Sequence, residues 1–137
     1  MKKLVLHIIL PIFVGSVIYV LFREKTLLMF DWFSYLKLDF IIDSLRNNFY
    51  RYRIYIPKSI LFSLPDALWV YSFTMFLSIY FKNRILLSII FIGSIITEIL
   101  QLWFVIGTFD IYDVVYMFAL YLVAMYFIKK FEEEKKL

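Results

Sequence analysis

Hydrophobic residues form four long runs along the chain, separated by shorter polar stretches. A transmembrane helix needs about 20 mostly apolar residues to cross the hydrocarbon core of a bilayer. Each run is close to that length, although the second is slightly short. The pattern therefore predicts an all-α fold, a four-helix transmembrane bundle with spans at residues 4–22, 64–81, 85–106 and 111–128.

Polar residues at the ends of these runs indicate where the helices begin and end. Ser63-Leu64-Pro65-Asp66 has the pattern of a capping box, which would start the second helix. Lys82-Asn83-Arg84 predicts a tight turn before the third helix. Gly107-Thr108 is expected to break the third helix, and Asp110 to cap the fourth, where an anion also meets the positive end of the helix dipole.

Residues 23–63 connect the first two predicted helices and carry several charges. Asp39 and Asp43 are four residues apart, and the opposite face of a helix would carry the following apolar residues: Leu38, Ile41, Ile42 and Leu45. This pattern is typical of an amphipathic helix that lies in the membrane interface. The next stretch, NNFYRYRIYIPK, alternates aromatic and basic residues, which predicts a short strand or an extended segment along the headgroups that ends at Pro57.

Composition supports the membrane assignment and excludes several kinds of chemistry. Hydrophobic residues make up 64% of the chain, whereas soluble domains have about half. The chain has no cysteine, which excludes disulfides, thiolate metal sites and a cysteine nucleophile, and its one histidine, His7, is expected to reach water. We therefore expect one membrane domain over residues 1–137, with lipids as partners and without metal or cofactor; the oligomeric state stays open.

Basic residues are distributed almost evenly between the two sides of the predicted bundle. Eight lie near the termini and the 82–84 turn, and seven lie in residues 23–63. Short segments next to helix ends count most, and the 107–110 turn has no Lys or Arg, so we expect both termini inside and residues 23–63 outside. The net charge of +4 suits anionic headgroups, and nucleic-acid binding is disfavoured because the basic residues flank apolar segments.

This topology places the acidic residues of the predicted helices in the outer half of the membrane. Asp66, Asp110 and Asp113 begin helices there, and Glu98 lies about 12 Å deep at 1.5 Å per residue. The sequence thus predicts an outward-facing acidic pocket, with counterions from the connecting segment. The candidate counterions are the following basic residues: Arg46, Arg51, Arg53 and Lys58.

Each of these polar residues could have a structural role instead of a functional one. Ser94, Thr97 and Gln101 share a face with Glu98 and are expected to join helices by hydrogen bonds. Asp66 and Asp110 also fit simple helix caps. A carboxylate embedded in the membrane, such as Glu98, is by default a functional hypothesis, and Asp113 is equally open to either interpretation.

One part of the sequence resembles the VanZ-like family of small multi-pass bacterial membrane proteins. The resemblance rests on Glu98-x-x-Gln101 followed by Gly107-Thr-Phe-Asp110-x-x-Asp113, and it covers residues 94–128. It implies a location in the bacterial inner membrane and a link to glycopeptide resistance, since the family is named after a protein linked to teicoplanin resistance. The family pattern includes an arginine near this turn, whereas Gly107-Thr108-Phe109 contains none. Arg51 or Arg53, from the connecting segment, is predicted to take its place.

Several functions are compatible with these residues. The first is a cell-envelope protein whose acidic pocket binds a polar headgroup, a lipid-linked wall precursor, a cationic small molecule or a glycopeptide antibiotic. Its predicted ligand-binding residues are Asp66, Glu98, Gln101, Asp110, Asp113, Arg51 and Arg53. The alternatives are an interfacial acid/base enzyme that uses Glu98 and Asp113 on a lipid-linked substrate, a proton or cation pathway, and a structural subunit. The absence of a recognisable nucleophile, metal cluster or phosphate-binding loop disfavours the enzyme.

Overall fold

The computed structural model describes residues 2–25, 28–102 and 110–134. These parts of the chain contain helices and no strand, so the predicted all-α class is confirmed. The α-helices are α1 (Lys2–Phe22), α2 (Leu28–Tyr35), α3 (Asp39–Phe49), α4 (Lys58–Leu77), α5 (Arg84–Leu87), α6 (Ile89–Gln101) and α7 (Ile111–Glu134), and a 3₁₀ helix, η1, covers Tyr50–Tyr55.

Three of the described helices are long and apolar enough to cross a membrane: Leu4–Phe22, Lys58–Leu77 and Ile111–Glu134. The predicted third span, residues 85–106, contains the short helix α5, a turn at Ser88 and the 13-residue helix α6. At 1.5 Å per residue, α6 is about 20 Å long, which is shorter than the hydrocarbon core. Residues 103–109 lie outside the described part, so the described helices include three full-length candidate spans.

Helix α4 is the central helix of the molecule. It packs against α1 on one side and α7 on the other. Half of its apolar span (50%) is buried inside the protein, compared with 6% for α1 and 17% for α7. Most of the surface of α1 and α7 is therefore apolar and exposed outside the protein, as expected for helices that face lipid.

The packing of side chains gives the direction of each helix. We call the end where α1 ends and α4 begins the loop end, and the opposite end the terminal end. Near the terminal end, Met75 of α4 packs with Leu87 of α5 and Ile128 of α7. Nearer the loop end, Ala67 of α4 packs with Met117 of α7. Helices α4 and α7 therefore run in the same direction, and α1 and α6 run in the opposite one.

Helix α4 begins six residues earlier than its predicted start at residue 64. Its N-cap is Pro57, and Ser63, Pro65 and Asp66 lie inside the helix. The capping-box interpretation is therefore wrong. The additional N-terminal residues bury the side chain of Leu61 almost completely, which favours extending the helix by more than a turn. The helix ends at Leu77 instead of residue 81, and Asn83 caps α5 by accepting a hydrogen bond from the Ile85 N–H.

The connecting segment is helical where a strand or extended stretch was predicted. The sequence YRYRIY forms η1, so that prediction is wrong. In a 3₁₀ helix, side chains three residues apart lie above each other. This geometry places Arg53 over the ring of Tyr50, with the guanidinium 5.4 Å from the ring centroid, and Arg53 also donates a hydrogen bond to the Tyr50 hydroxyl.

The predicted amphipathic helix over Asp39 and Asp43 is present as α3. Its inward face carries Ile42 and Arg46, which are buried, whereas Ile41 and Leu45 are exposed. Helix α3 packs against α1, and η1 contacts α1 as well. The connecting segment is thus folded onto the loop end of α1.

His7 has a partner at the terminal end, contrary to the expectation that it reaches water. Its Nδ1 is hydrogen-bonded to the hydroxyl of Tyr71, and its ring centroid lies 4.5 Å from that of Phe127 and 5.3 Å from that of Phe131. The imidazole therefore joins α1 to α4 and α7.

Candidate functional site

A charge pair between α1 and α4 lies at the loop end. Arg23, the residue after α1, donates a hydrogen bond from Nη2 to Oδ2 of Asp66 at 3.3 Å and another to the carbonyl oxygen of Phe62 at 3.0 Å. The two side chains are partly exposed, 22% for Arg23 and 37% for Asp66. Asp66 is neither a cap nor paired with any of the predicted counterions, because its partner comes from the end of α1.

The acidic residues of three helices come together beside this pair. Glu98 of α6 is 7% exposed. Its carboxylate interacts electrostatically with those of Asp113, Asp66 and Asp110, and with the guanidinium of Arg23. We call the four carboxylates of Asp66, Glu98, Asp110 and Asp113 the acidic cluster. The sequence predicted that these groups share one end of the molecule, and the structure places them together there.

The beginning of α7 holds two members of the cluster in different environments. Oδ1 of Asp110 accepts a hydrogen bond from the Tyr112 N–H at 2.9 Å, and its carbonyl oxygen accepts one from the Asp113 N–H at 3.0 Å. The predicted cap is therefore confirmed. Oδ1 of Asp113 is buried and has no hydrogen-bond partner among the described residues. Asp113 thus presents a buried acceptor within the cluster.

The hydroxyl groups of Ser94 and Thr97 bond within α6 and do not join it to neighbouring helices. The hydroxyl of Ser94 donates to the Ile90 carbonyl at 2.9 Å, and that of Thr97 donates to the Ser94 carbonyl at 2.7 Å. Both hydroxyls are satisfied within α6, so their prediction as interhelical joints is wrong. The side chain of Gln101 and residue Gly107 lie outside the described part of the chain.

Two of the four predicted counterions hydrogen-bond tyrosines instead. Arg51 is exposed and donates to the Tyr52 hydroxyl at 3.2 Å. Arg53 donates to the hydroxyl of Tyr50. In the described residues, Arg23 is therefore the arginine that the structure pairs with the acidic cluster, and Arg51 and Arg53 are not brought to it.

Arg46, predicted as a counterion of the acids, is instead buried at the end of α1, a role that sequence reasoning missed. It is 7% exposed and donates to the carbonyl oxygens of Val20, at 2.5 Å, and Arg23, at 2.7 Å. These carbonyls have no partner within α1, and a cation there also meets the negative end of the helix dipole. Burial lowers the pKa of Arg46, and the nearby charge of Arg53 acts in the same direction.

Three arginines and four aromatic rings alternate from α2 to α1. Each guanidinium lies 4.9–5.4 Å from the centroids of two rings. We call this array the arginine ladder; in order it contains Phe30, Arg46, Tyr50, Arg53, Phe62, Arg23 and Tyr19. Such contacts stabilise a cation by about 0.5–2 kcal/mol. The alternation of aromatic and basic residues in FYRYRIY is the sequence signal for part of it.

A separate cavity of about 220 Å³ lies between α2 and α3. Four of its polar side chains are already paired with each other. Lys25 forms an ion pair with Asp43, and the Ser34 hydroxyl donates to Asp39 at 2.6 Å. Within the described ranges, no group of three or more His, Asp or Glu side chains is arranged to hold a metal ion. The acidic cluster and the adjoining ladder are therefore the better candidate site.

No protein-family model, curated protein sequence or solved structure matches the chain. The functional argument consequently depends on the geometry of the acidic cluster, the arginine ladder and the membrane-length helices.

Proposed function

We propose that the chain is a four-pass, VanZ-like membrane protein of the bacterial cell envelope whose acidic cluster binds a cationic, polar headgroup at the outer surface. The observation that carries this proposal is the convergence of four carboxylates, from α4, α6 and the start of α7, beside Arg23 in the described part of the chain.

The balance of charge favours a cationic ligand. Within the described residues, the cluster contains four carboxylates and one guanidinium, so its ionised form carries an excess of negative charge. Buried charges are costly unless they are paired. A ligand amine placed near Asp113 supplies positive charge and also a donor for its buried Oδ1 atom.

The direction of the helices supports four membrane crossings. Helix α4 runs from the loop end to the terminal end, and α7 begins again at the loop end beside Asp66. The chain must therefore return between Leu77 and Ile111, and α6 runs in that direction. We take residues 85–106 as this return crossing, which places both termini on the same side; the positive-inside pattern assigns that side to the cytoplasm.

The resemblance to the VanZ-like family suggests which cations to test. Lipid-linked wall precursors and glycopeptide antibiotics both present amines at the outer membrane surface, within reach of a pocket that opens there. We favour binding over catalysis because the described residues of the cluster comprise carboxylates and one arginine, without an activated nucleophile beside them.

Substitution of Glu98 and Asp113 tests this function. We expect Glu98→Gln and Asp113→Asn each to weaken binding of dodecylamine, a simple cationic amphiphile, to the purified protein by about tenfold, since each removes a charge-assisted contact. In cells that express the protein, both should also remove any decrease in teicoplanin susceptibility. Isothermal titration calorimetry and growth-inhibition assays measure these effects.

Glu133→Gln is the matched control, because Glu133 is an exposed acid at the terminal end that pairs with Lys129. It should bind dodecylamine like the wild type. Equal binding by the wild type and by both cluster variants, with all proteins folded, would reject the proposed function in favour of a structural role for the carboxylates.

A further inference from the structure

The arginine ladder concentrates positive charge directly beside the acidic cluster. It contains three guanidinium groups, and within the described residues only that of Arg23 hydrogen-bonds a carboxylate. Asp43, which interacts electrostatically with Arg46, forms its ion pair with Lys25. The ladder therefore carries an excess of positive charge at the loop end, next to the negative excess of the cluster.

The ladder arginines differ in the hydrogen-bond donors that remain for a ligand. Both terminal nitrogens of Arg46 donate to carbonyl oxygens at the end of α1, those of Val20 and Arg23, so this side chain is structural. Arg53 donates one hydrogen bond, to the Tyr50 hydroxyl. The other N–H groups of its guanidinium donate none to the described residues. Nε of Arg23 is buried and lacks a hydrogen-bond partner there as well. Arg53 and Arg23 thus have unused donors.

These two arginines share one aromatic ring. The guanidinium of Arg23 lies 4.9 Å from the centroid of Phe62, and that of Arg53 lies 5.4 Å from it. The planar guanidinium group, with its several N–H donors, is suited to binding phosphate oxygens. Arg23 also contacts Asp66, so its side chain belongs to the ladder and borders the acidic cluster.

The surroundings of the ladder point to a lipid as the source of the anion. The connecting segment exposes large apolar side chains, including Phe40 (85%), Ile54 (87%) and Tyr55 (82%), outside the three membrane-length helices. Exposed aromatic residues beside membrane spans are typical of the bilayer interface. Helix α4 begins three residues after Tyr55, so η1 and the ladder lie where that helix enters the membrane, at the depth of lipid headgroups.

We infer that Arg53 and Arg23 bind the phosphate of an aminophospholipid headgroup whose primary amine lies in the acidic cluster. This inference rests on the proposed function and narrows its ligand to a zwitterion, in which a phosphate and an amine are joined by a short spacer. The side chain of Arg23 separates the two subsites. The arrangement therefore matches opposite charges of one headgroup to opposite charges of the protein.

Three ligands distinguish binding at the phosphate subsite from binding at the amine subsite. Their binding is measured on the purified full-length protein in neutral detergent. Short-chain phosphatidylethanolamine carries both groups, short-chain phosphatidylglycerol carries the phosphate alone, and dodecylamine carries the amine alone. We expect Arg53→Gln to weaken binding of both phospholipids by about tenfold and to leave dodecylamine unchanged. Asp113→Asn should weaken phosphatidylethanolamine and dodecylamine but not phosphatidylglycerol.

Arg51→Gln is the matched control, because Arg51 lies in the same 3₁₀ helix and is exposed outside the ladder. It should bind all three ligands like the wild type. An equal loss of phospholipid affinity in Arg51→Gln and Arg53→Gln would overturn the inference, because it would show that the lipids respond only to the overall positive charge. Displacement of phosphatidylglycerol by an equimolar amount of inorganic phosphate would also overturn it, by assigning the site to free phosphate.

The same measurements distinguish this inference from the proposed function. If Arg53→Gln binds phosphatidylglycerol normally while Asp113→Asn loses dodecylamine, the phosphate site is refuted and the cation pocket stands. If Arg53→Gln loses both phospholipids while Asp113→Asn keeps dodecylamine, the cation pocket is refuted, and with it the zwitterionic ligand. Thermal unfolding of each variant confirms that the protein is folded.

Discussion

Arginines of similar sequence context have different roles in the connecting segment. Arg46 is buried against the end of α1, whereas Arg51 is exposed and hydrogen-bonded to Tyr52. The difference follows from helix geometry. Arg46 is four residues after the buried Ile42 and shares its face of α3, which packs on α1.

Substitution of Arg46 is expected to destabilise the fold. Arg46→Gln removes the charged donor that serves two carbonyl groups at the end of α1, and hydrogen bonds to a charged group contribute about 1.5–3 kcal/mol each. We therefore expect the free energy of unfolding to fall by about 2 kcal/mol or more, measured by denaturant titration in detergent micelles.

Arg51→Gln removes the same charge from an exposed site and should change the free energy of unfolding by less than about 0.5 kcal/mol. Similar losses in the two variants would contradict the role of Arg46 as a cap of α1, and would indicate a general effect of charge on the connecting segment.

At the scale of elements, α1 and α4 pack closely at a glycine of α1. A Cβ atom on Gly15 would lie 3.2 Å from the carbonyl oxygen of Pro65 and 3.2 Å from Cδ1 of Trp69. Small residues allow membrane helices to pack closely. This contact lies beside Asp66, so the spacing of the two helices also sets the position of the Arg23–Asp66 pair.

Gly15→Ala and Gly93→Ala form a pair of test substitutions within helices. In α1 the added methyl group requires α4 to move, so we expect Gly15→Ala to lose about 1 kcal/mol of stability even after the gain in helix propensity. A Cβ on Gly93 would meet nothing within 4 Å. Gly93→Ala should therefore leave stability unchanged or raise it by up to about 1 kcal/mol.

Thermal unfolding in detergent measures both substitutions. A stabilised Gly15→Ala protein would argue against close packing of α1 on α4 and would weaken the assignment of Arg23 as the partner of Asp66.

At the scale of the whole molecule, Asp66, Glu98 and Asp113 lie at one end, although they come from three different helices. Because α1 and α6 run opposite to α4 and α7, Arg23, Asp66, Glu98 and Asp113 lie at the loop end, while His7 and Tyr71 meet nearer the terminal end. The proposed orientation places the loop end outside the cell.

The absence of native cysteine allows this orientation to be tested with single labels. We expect Tyr52→Cys to react with a membrane-impermeant maleimide in intact cells, because Tyr52 is in the exposed part of η1. Lys82→Cys, in the turn at the terminal end, should react only after the membrane is permeabilised. The reverse pattern of labelling would overturn the N-in, C-in topology and the outward position of the acidic cluster.

Hydropathy was sufficient to predict the helical class and three of the long spans, because hydrocarbon requires about 20 apolar residues whatever their partners. Local capping chemistry was predicted correctly at Asp110, where side chain and backbone are neighbours. It failed at Ser63, where burial of Leu61 extends the helix past the apparent cap.

The sequence by itself determined that the chain is helical, suited to a membrane, and marked by carboxylates in apolar surroundings. The tertiary structure decided which charges meet. Arg23 reaches Asp66, and the ladder arginines contact aromatic rings from α1, α2, η1 and α4, because antiparallel packing of α1 on α4 brings distant segments together. Periodicity reports which face of a helix is apolar, but the partner of a charge depends on distances that are fixed only when the helices pack.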